Sequence, residues 1–233
     1  MRYLISVYSW VVGGLYFIIL CFLSIILSFF LRPKTFDPFI KKSLRILFKI
    51  LFIKVRSKGA EYIRPNTNYL FMCNHSNFFD IPLLEAYIPT FVRGVEALRQ
   101  FNWPVYGWAI RRMGNIPIDR KNIHASITSM KKTEKILKKG QSIVILPEGH
   151  RTLDGNLGPF KKLPFHLAKQ AGVPIIPIGL SGLFQLKHKG SWIIDPRPVK
   201  IKFGQPISPD KIQNLSTEEL RDYTREKIQD LIE

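Results

Sequence analysis

From Tyr3 to Leu31 the chain carries no charge, and apolar side chains fill most of the run. About 20 such residues cross a bilayer as a helix, so this stretch predicts a membrane anchor. The pair Gly13-Gly14 can divide it. That leaves two arrangements open, a tilted span and a re-entrant hairpin. The run exceeds a signal-peptide core, and no small-residue cleavage site follows it. In the next stretch, FIKKSLRILFKILFIK (39–54), Lys and Arg interleave with Phe39, Ile40, Leu44, Leu47 and Leu51. Such a basic amphipathic helix suits anionic headgroups, and it can equally pack on a folded domain with its basic face in water.

Beyond about residue 55 the period shortens. The runs YLFMC (69–73), TFVRG (90–94), NIPI (115–118), SIVIL (142–146), PIIPI (174–178) and VKIKF (199–203) read as strands. Helical spacing returns between Asn122 and Lys139, over 163–172, and after Ser216, which forms a capping box with Glu219. Ile81–Tyr87 reads as a short helix with Pro82 in its first turn. Strands alternating with helices predict an α/β fold, a largely parallel sheet flanked by helices. The expected organisation is an anchor with its basic amphipathic segment at 1–58 and an α/β domain at 59–233.

Charge changes the picture of partners. The 233 residues include 35 Lys and Arg against 17 Asp and Glu, a net charge of +18. An excess of that size calls for an anionic partner: a membrane surface, a phosphorylated substrate, or nucleic acid. Nine basic residues and one acidic residue lie between Arg32 and Lys58. Placed directly after the apolar run, they put the domain on the cytoplasmic side of the inner membrane. A membrane-tethered nucleic-acid-binding protein is the reading from another class, but no nucleic-acid motif accompanies the charge. The two cysteines, Cys21 and Cys73, fit neither a disulfide framework nor a metal site, and no metal ligand set is expected.

Candidate chemistry collects after strands, where open α/β sheets bind ligands. In FMCNHSNFFD (71–80), His75 precedes Asp80 by five residues. On a continuous helix they would point about 140° apart. Across a turn the carboxylate can bond one imidazole nitrogen and leave the other free to remove a proton. The plain alternative is a helix-capping Asp80 beside an ordinary loop histidine. GNIPIDR (114–120) ends on Arg120, and LPEGHR (146–151) supplies Glu148, Gly149 and Arg151. Paired guanidinium donors suit a phosphate, and a glycine lets backbone approach a ligand. Cys73 as nucleophile is a further option, though a cysteine in an apolar strand is usually core.

These blocks together resemble the glycerolipid acyltransferases, in particular the 1-acyl-sn-glycerol-3-phosphate (lysophosphatidic acid) acyltransferases. NHSNFFD matches that family's NHxxxxD block, GNIPIDR its second, LPEGHR its third, and VPIIPI (173–178) its fourth. Two positions depart: His150 stands where Thr or Ser is usual, and Leu163 where glycine is common. The resemblance implies a membrane enzyme of phospholipid synthesis that needs no cofactor. Its co-substrate would be acyl-CoA or an acyl carrier protein (acyl-ACP). It implies His75 as general base oriented by Asp80, and Arg120, Glu148, Gly149 and Arg151 as binding residues for a lysolipid acceptor. That acceptor would be lysophosphatidic acid, giving phosphatidic acid, or another lysolipid. No nucleic acid partner is implied.

Overall fold

The computed structural model describes residues 1–232. The apolar run forms α1 (Arg2–Tyr8), a π-helical turn (Ser9–Gly13) and α2 (Gly14–Phe30), which join as one helix of 29 residues. The Gly13-Gly14 pair therefore does not break it. Gly13 instead admits a close approach: a Cβ there would meet the Leu51 side chain at 2.7 Å. Then α3 (Pro33–Ile50) returns along α2, and the Tyr16 hydroxyl donates to the Ser43 carbonyl at 3.0 Å.

The basic helix α3 is packed rather than free. Phe36, Ile40, Leu44, Leu47 and Phe48 are buried, while Lys34, Lys42, Arg45 and Lys49 face outward. Lys41 points inward and is paired with Asp37 at 2.8 Å, with Glu85 at 3.6 Å. The remaining elements follow in order: β1 (Val55–Lys58), β2 (Leu70–Cys73), α4 (Asp80–Tyr87), β3 (Val92–Ala97), α5 (Tyr106–Met113), β4 (Ile116–Ile118), α6 (Ile123–Lys138), β5 (Ser142–Ile145), α7 (Leu163–Ala171), β6 (Ile175–Ser181), α8 (Leu183–Leu186), β7 (Val199–Phe203), α9 (Pro209–Asn214) and α10 (Thr217–Gln229).

The strands form one seven-stranded sheet in the order β1-β7-β6-β2-β5-β3-β4. Every pairing is parallel except β6 with β7. Three of its seven strands, β2, β5 and β6, are near-continuous apolar runs because helices cover both faces. Side chains alternate between faces along β2. Phe71 and Cys73 join the core under α2, α3 and α4, whereas Leu70 and Met72 join the core under α6, α7 and α10. The apolar hairpin α2–α3 thus lies on one side of the sheet, and α6 on the other. Residues 55–58, read with the basic segment, pair with β7 as an edge strand.

The long apolar helix stays on the domain from end to end. Arg2 bonds Asp195 at 3.2 Å, the Ser6 hydroxyl donates to the Ile194 carbonyl at 3.1 Å, and Trp10 donates to the Trp192 carbonyl at 2.7 Å. At mid-helix Phe17 packs on Tyr106, and near the other end the Arg112 guanidinium sits 4.0 Å over the Phe29 ring. Its outer face, with Leu4, Val7, Val11, Leu15, Ile18 and Phe22, is exposed.

Candidate active site

The loop between β2 and α4 holds His75 and Asp80. Asp80 is the first residue of α4 and Phe79 its N-cap, so the carboxylate is not the helix cap that its position invites. It turns back into the loop instead. Its Oδ2 accepts from His75 Nδ1 at 2.6 Å, from the Ser76 N–H at 2.7 Å and from the Asn77 N–H at 3.0 Å. The Asp80 side chain is fully buried, whereas 14% of the His75 side chain is exposed. The bond to Nδ1 leaves Nε2 unpartnered among the described residues. A turn, not a helix, separates the two side chains, as a base–orienter pair needs.

The same loop is braced by neighbouring strands. Asn74 exchanges two bonds with the Leu180 backbone on β6, at 2.9 and 2.8 Å. Asn77 donates to the Leu183 carbonyl and accepts from the Phe79 N–H at 2.7 Å. Glu148, expected among the binding residues, sits buried after β5. Its Oε1 accepts the His75 N–H at 2.7 Å and its Oε2 the Gly158 N–H at 2.9 Å. Both oxygens are used inside the protein, so Glu148 holds the histidine loop in place. Burial pushes its carboxyl above the usual range, against the pull of these two N–H donors. The Thr152 N–H bonds the His75 carbonyl at 2.9 Å and closes the loop from its other side.

Arg120 follows β4 and reaches across to the loop after β5, where it donates to the Gly149 carbonyl. Gly149 has φ +76°, a left-handed conformation that side-chain-bearing residues rarely adopt, and a Cβ there would find room. The glycine is therefore needed for its backbone angle, not for space. Burial first, then the guanidiniums of Arg99 and Arg151, draw the Arg120 pKa down from its ordinary value. Arg151 also depresses Lys187, whose first influence is burial. Four cations are thus linked in pairs, Arg99 with Arg120, Arg120 with Arg151 and Arg151 with Lys187. Sequence reasoning found two of them. Arg99 lies in a short 3₁₀ turn after β3, and Lys187 follows α8, with no motif to mark either.

Cys73 is wholly buried, and burial pushes its thiol well up, reinforced by Asp80 and Glu148. A thiolate nucleophile is disfavoured there. The apolar helix reaches the site directly: Trp10, in the π-helical turn, packs on Phe78 at 5.4 Å, and Phe78 on Phe79 at 4.4 Å. Beside the first turn of α4 lies an apolar cavity of about 90 Å³, lined by Leu20, Cys21, Leu44, Pro82, Ala109 and Met113. Its walls include two carboxyls, Glu85 and Glu96.

Residues 54–181 match the family model described as Acyltransferase. The 1-acyl-sn-glycerol-3-phosphate acyltransferase of Cocos nucifera is 32% identical over 190 residues, covering 81% of this chain and 58% of that protein. The mouse 1-acyl-sn-glycerol-3-phosphate acyltransferase alpha is 30% identical over 194 residues, covering 80% and 68%. The chain spans little more than half the length of its plant relatives, 54% for the chloroplastic LPAT1 of Arabidopsis thaliana. The crystal structure of the 1-acyl-sn-glycerophosphate (LPA) acyltransferase PlsC from Thermotoga maritima superposes with a TM-score of 0.86. It covers 98% of this chain and 93% of that one, at 26% identity.

Proposed function

Because the chain belongs to the acyltransferase family, we propose that it transfers an acyl group from a thioester to the sn-2 hydroxyl of 1-acyl-sn-glycerol 3-phosphate. The product would be phosphatidic acid. The observation that carries this reading is the 2.6 Å bond between His75 Nδ1 and a buried Asp80, which leaves Nε2 without a partner among the described residues.

The chemistry runs as one displacement. Nε2 takes the proton of the acceptor hydroxyl as its oxygen attacks the thioester carbonyl. The C–S bond breaks, and the thiolate leaves with the electron pair and recovers the proton from the imidazolium. A thiol pKa near roughly 8.5 makes this a good leaving group, so no acyl-enzyme is required. Asp80 sets the tautomer and offsets the positive charge that His75 gains in the transition state. Arg151 and Arg120 grip the acceptor phosphate, with Arg99 and Lys187 adding to the field.

The same reading places the enzyme on, rather than through, the membrane. A helix of 29 residues is about 43 Å long, enough to cross a bilayer if it stood upright. Contacts at both ends hold it along one domain instead, with an apolar face left open. That arrangement supports a helix lying in the cytoplasmic leaflet, with the basic residues of α3 on the headgroups. Trp10 on Phe78 then sets the histidine loop at the depth where a lysolipid headgroup lies.

The test is purified protein with a panel of lysolipids and matched thioester donors, with products identified by mass. Phosphatidic acid formed with lysophosphatidate, and lost in His75→Ala, is the expected result. Faster turnover of a different lysolipid would move the assignment to that acceptor. Absence of transfer to every lysolipid would overturn it.

A further inference from the structure

The outward face of α6 presents Lys131, Lys132, Lys135, Lys138 and Lys139, all exposed, with Lys121 at the site end of the helix. Glu134 is the single acidic residue among them, and it pairs with Lys138 at 2.6 Å. Lys121, Lys131, Lys132, Lys135 and Lys139 make no ion pair among the described residues. Lys131 and Lys135, and Lys135 and Lys139, stand four residues apart, where like charges weaken a helix by about 0.2–0.5 kcal/mol each. Lys135, Lys138 and Lys139 stand at the helix C-terminus, where the dipole favours cations, so folding leaves Lys121, Lys131 and Lys132 unexplained.

Its place in the fold narrows the partner. The helix begins three residues after Arg120, so its first turns, with Lys121 just before them, stand at the rim of the active site, and Lys131–Lys139 occupy its far half. Two apolar side chains, Ile123 and Ile127, lie exposed in its first two turns, 70% and 37% open. The inward face of α6, Met130 and Leu137, packs on the sheet side opposite α2 and α3. With the apolar hairpin in a membrane, this face points to the aqueous side. The partner is then soluble, anionic and delivered to the site.

We propose that the α6 stripe docks an acidic acyl carrier protein, which presents its thioester-linked chain over Arg120 to His75. This rests on the acyl-transfer reading above and names the donor that reading leaves open. Carrier carboxylates pair with the lysines, and Ile123 and Ile127 meet the carrier surface next to its prosthetic arm. Such complementarity chiefly raises the association rate, by about 10-fold to 10³-fold for strongly charged pairs. Coenzyme A, being small, reaches the site without the distal lysines.

The experiment compares the unmodified protein with the triple variant Lys131→Glu, Lys132→Glu, Lys135→Glu on donors of matched acyl chain, one linked to carrier protein and one to coenzyme A. All three side chains are exposed, so the fold should survive, and circular dichroism checks it. The expected result is a fall of about 10-fold or more in kcat/KM for the carrier donor with the coenzyme A reaction unchanged. A graded loss in the matching Lys→Gln variant would support the same view. Equal losses with both donors, or no loss with either, would overturn the proposal, as would an unmodified enzyme that ignores the carrier. Loss of binding to phosphatidylglycerol vesicles in the variant would assign the stripe to the membrane instead. An unmodified protein inactive with both donors would reject the acyl-transfer reading itself.

Discussion

Replacing Asp80 by Asn changes one atom at the centre of the histidine loop. Oδ2 accepts three hydrogen bonds and Oδ1 none. An asparagine can keep all three acceptances only with its oxygen at the Oδ2 position. The new NH2 then sits where no acceptor exists, in a fully buried place, at about 1–3 kcal/mol. The three donors also lose a charged acceptor, and a bond to a charged group contributes about 1 kcal/mol more than a neutral one. Stability should therefore drop by about 4–6 kcal/mol. Catalysis should suffer separately, because the imidazolium formed during proton removal no longer faces a carboxylate. We expect kcat to fall about 10²–10⁴-fold, or about 3–5 kcal/mol at 1.36 per tenfold. KM for both substrates should change little, since none of the Asp80 contacts faces an open surface. The assay is thiol release at a temperature where circular dichroism shows the variant folded. His75→Ala should abolish the same step, and the double variant should be no worse than His75→Ala alone. A kcat within a few-fold of the unmodified enzyme, or losses that multiply in the double variant, would refute the base–orienter pair.

Arg151→Ala should raise KM for the lysolipid while sparing the thioester, and lysine should rescue poorly because it cannot make a paired contact. Arg120→Ala should lower kcat as well, since it also releases the Gly149 carbonyl; steady-state kinetics separate the two. Gly149→Ala meets no clash, so its cost is the left-handed backbone alone, about 1–2 kcal/mol. In a thermal melt that should appear as a Tm lower by a few degrees, about 2–4 °C per kcal/mol. Glu85 is raised to about 7 by burial, opposed by Lys41 and reinforced by Asp37. The folded state therefore holds this proton more tightly than the unfolded chain does. Its contribution is full below the unfolded value of 4.5 and is lost as the pH climbs through about 7. Denaturant titrations from pH 4 to 8 should show that decline, and Glu85→Gln should flatten it; an unchanged slope in the variant would place the titration elsewhere.

The legible parts of the fold were those whose period is forced by burial. β2, β5 and β6 lie between two helical layers, so their apolar runs stand out, as does the amphipathic α6. β1 did not stand out, because VRSK is an edge strand with three exposed residues and only Val55 apolar. α5 was missed too: YGWAIRRM has a helical face, but Trp108 is exposed and its start follows Pro104 without a cap. Motif spacing marked His75, Asp80, Arg120 and the Glu148–Arg151 turn because each follows a strand. Spacing could not show that Glu148 spends both oxygens on backbone amides, nor that Arg99 and Lys187 join the cluster. Those facts depend on which loops meet across the sheet, and a single chain's local pattern carries no such information.

The helix Arg2–Phe30 shows how far composition reaches and where geometry takes over. Length and apolarity alone allow a span, and the glycine pair allows a hairpin. Polar contacts too few to see in a hydropathy pattern hold the helix along the domain: Arg2 with Asp195, Ser6 with the Ile194 backbone, Trp10 with the Trp192 carbonyl. Gly13 contributes by letting the helix sit against Leu51. The π-helical turn at Ser9–Gly13 places Trp10 on Phe78, three residues from His75. An anchor that merely tethered the domain would have no need to touch the His75 loop. On the proposed reaction with a lipid hydroxyl, this contact would tie the height of His75 above the bilayer to the depth of the helix.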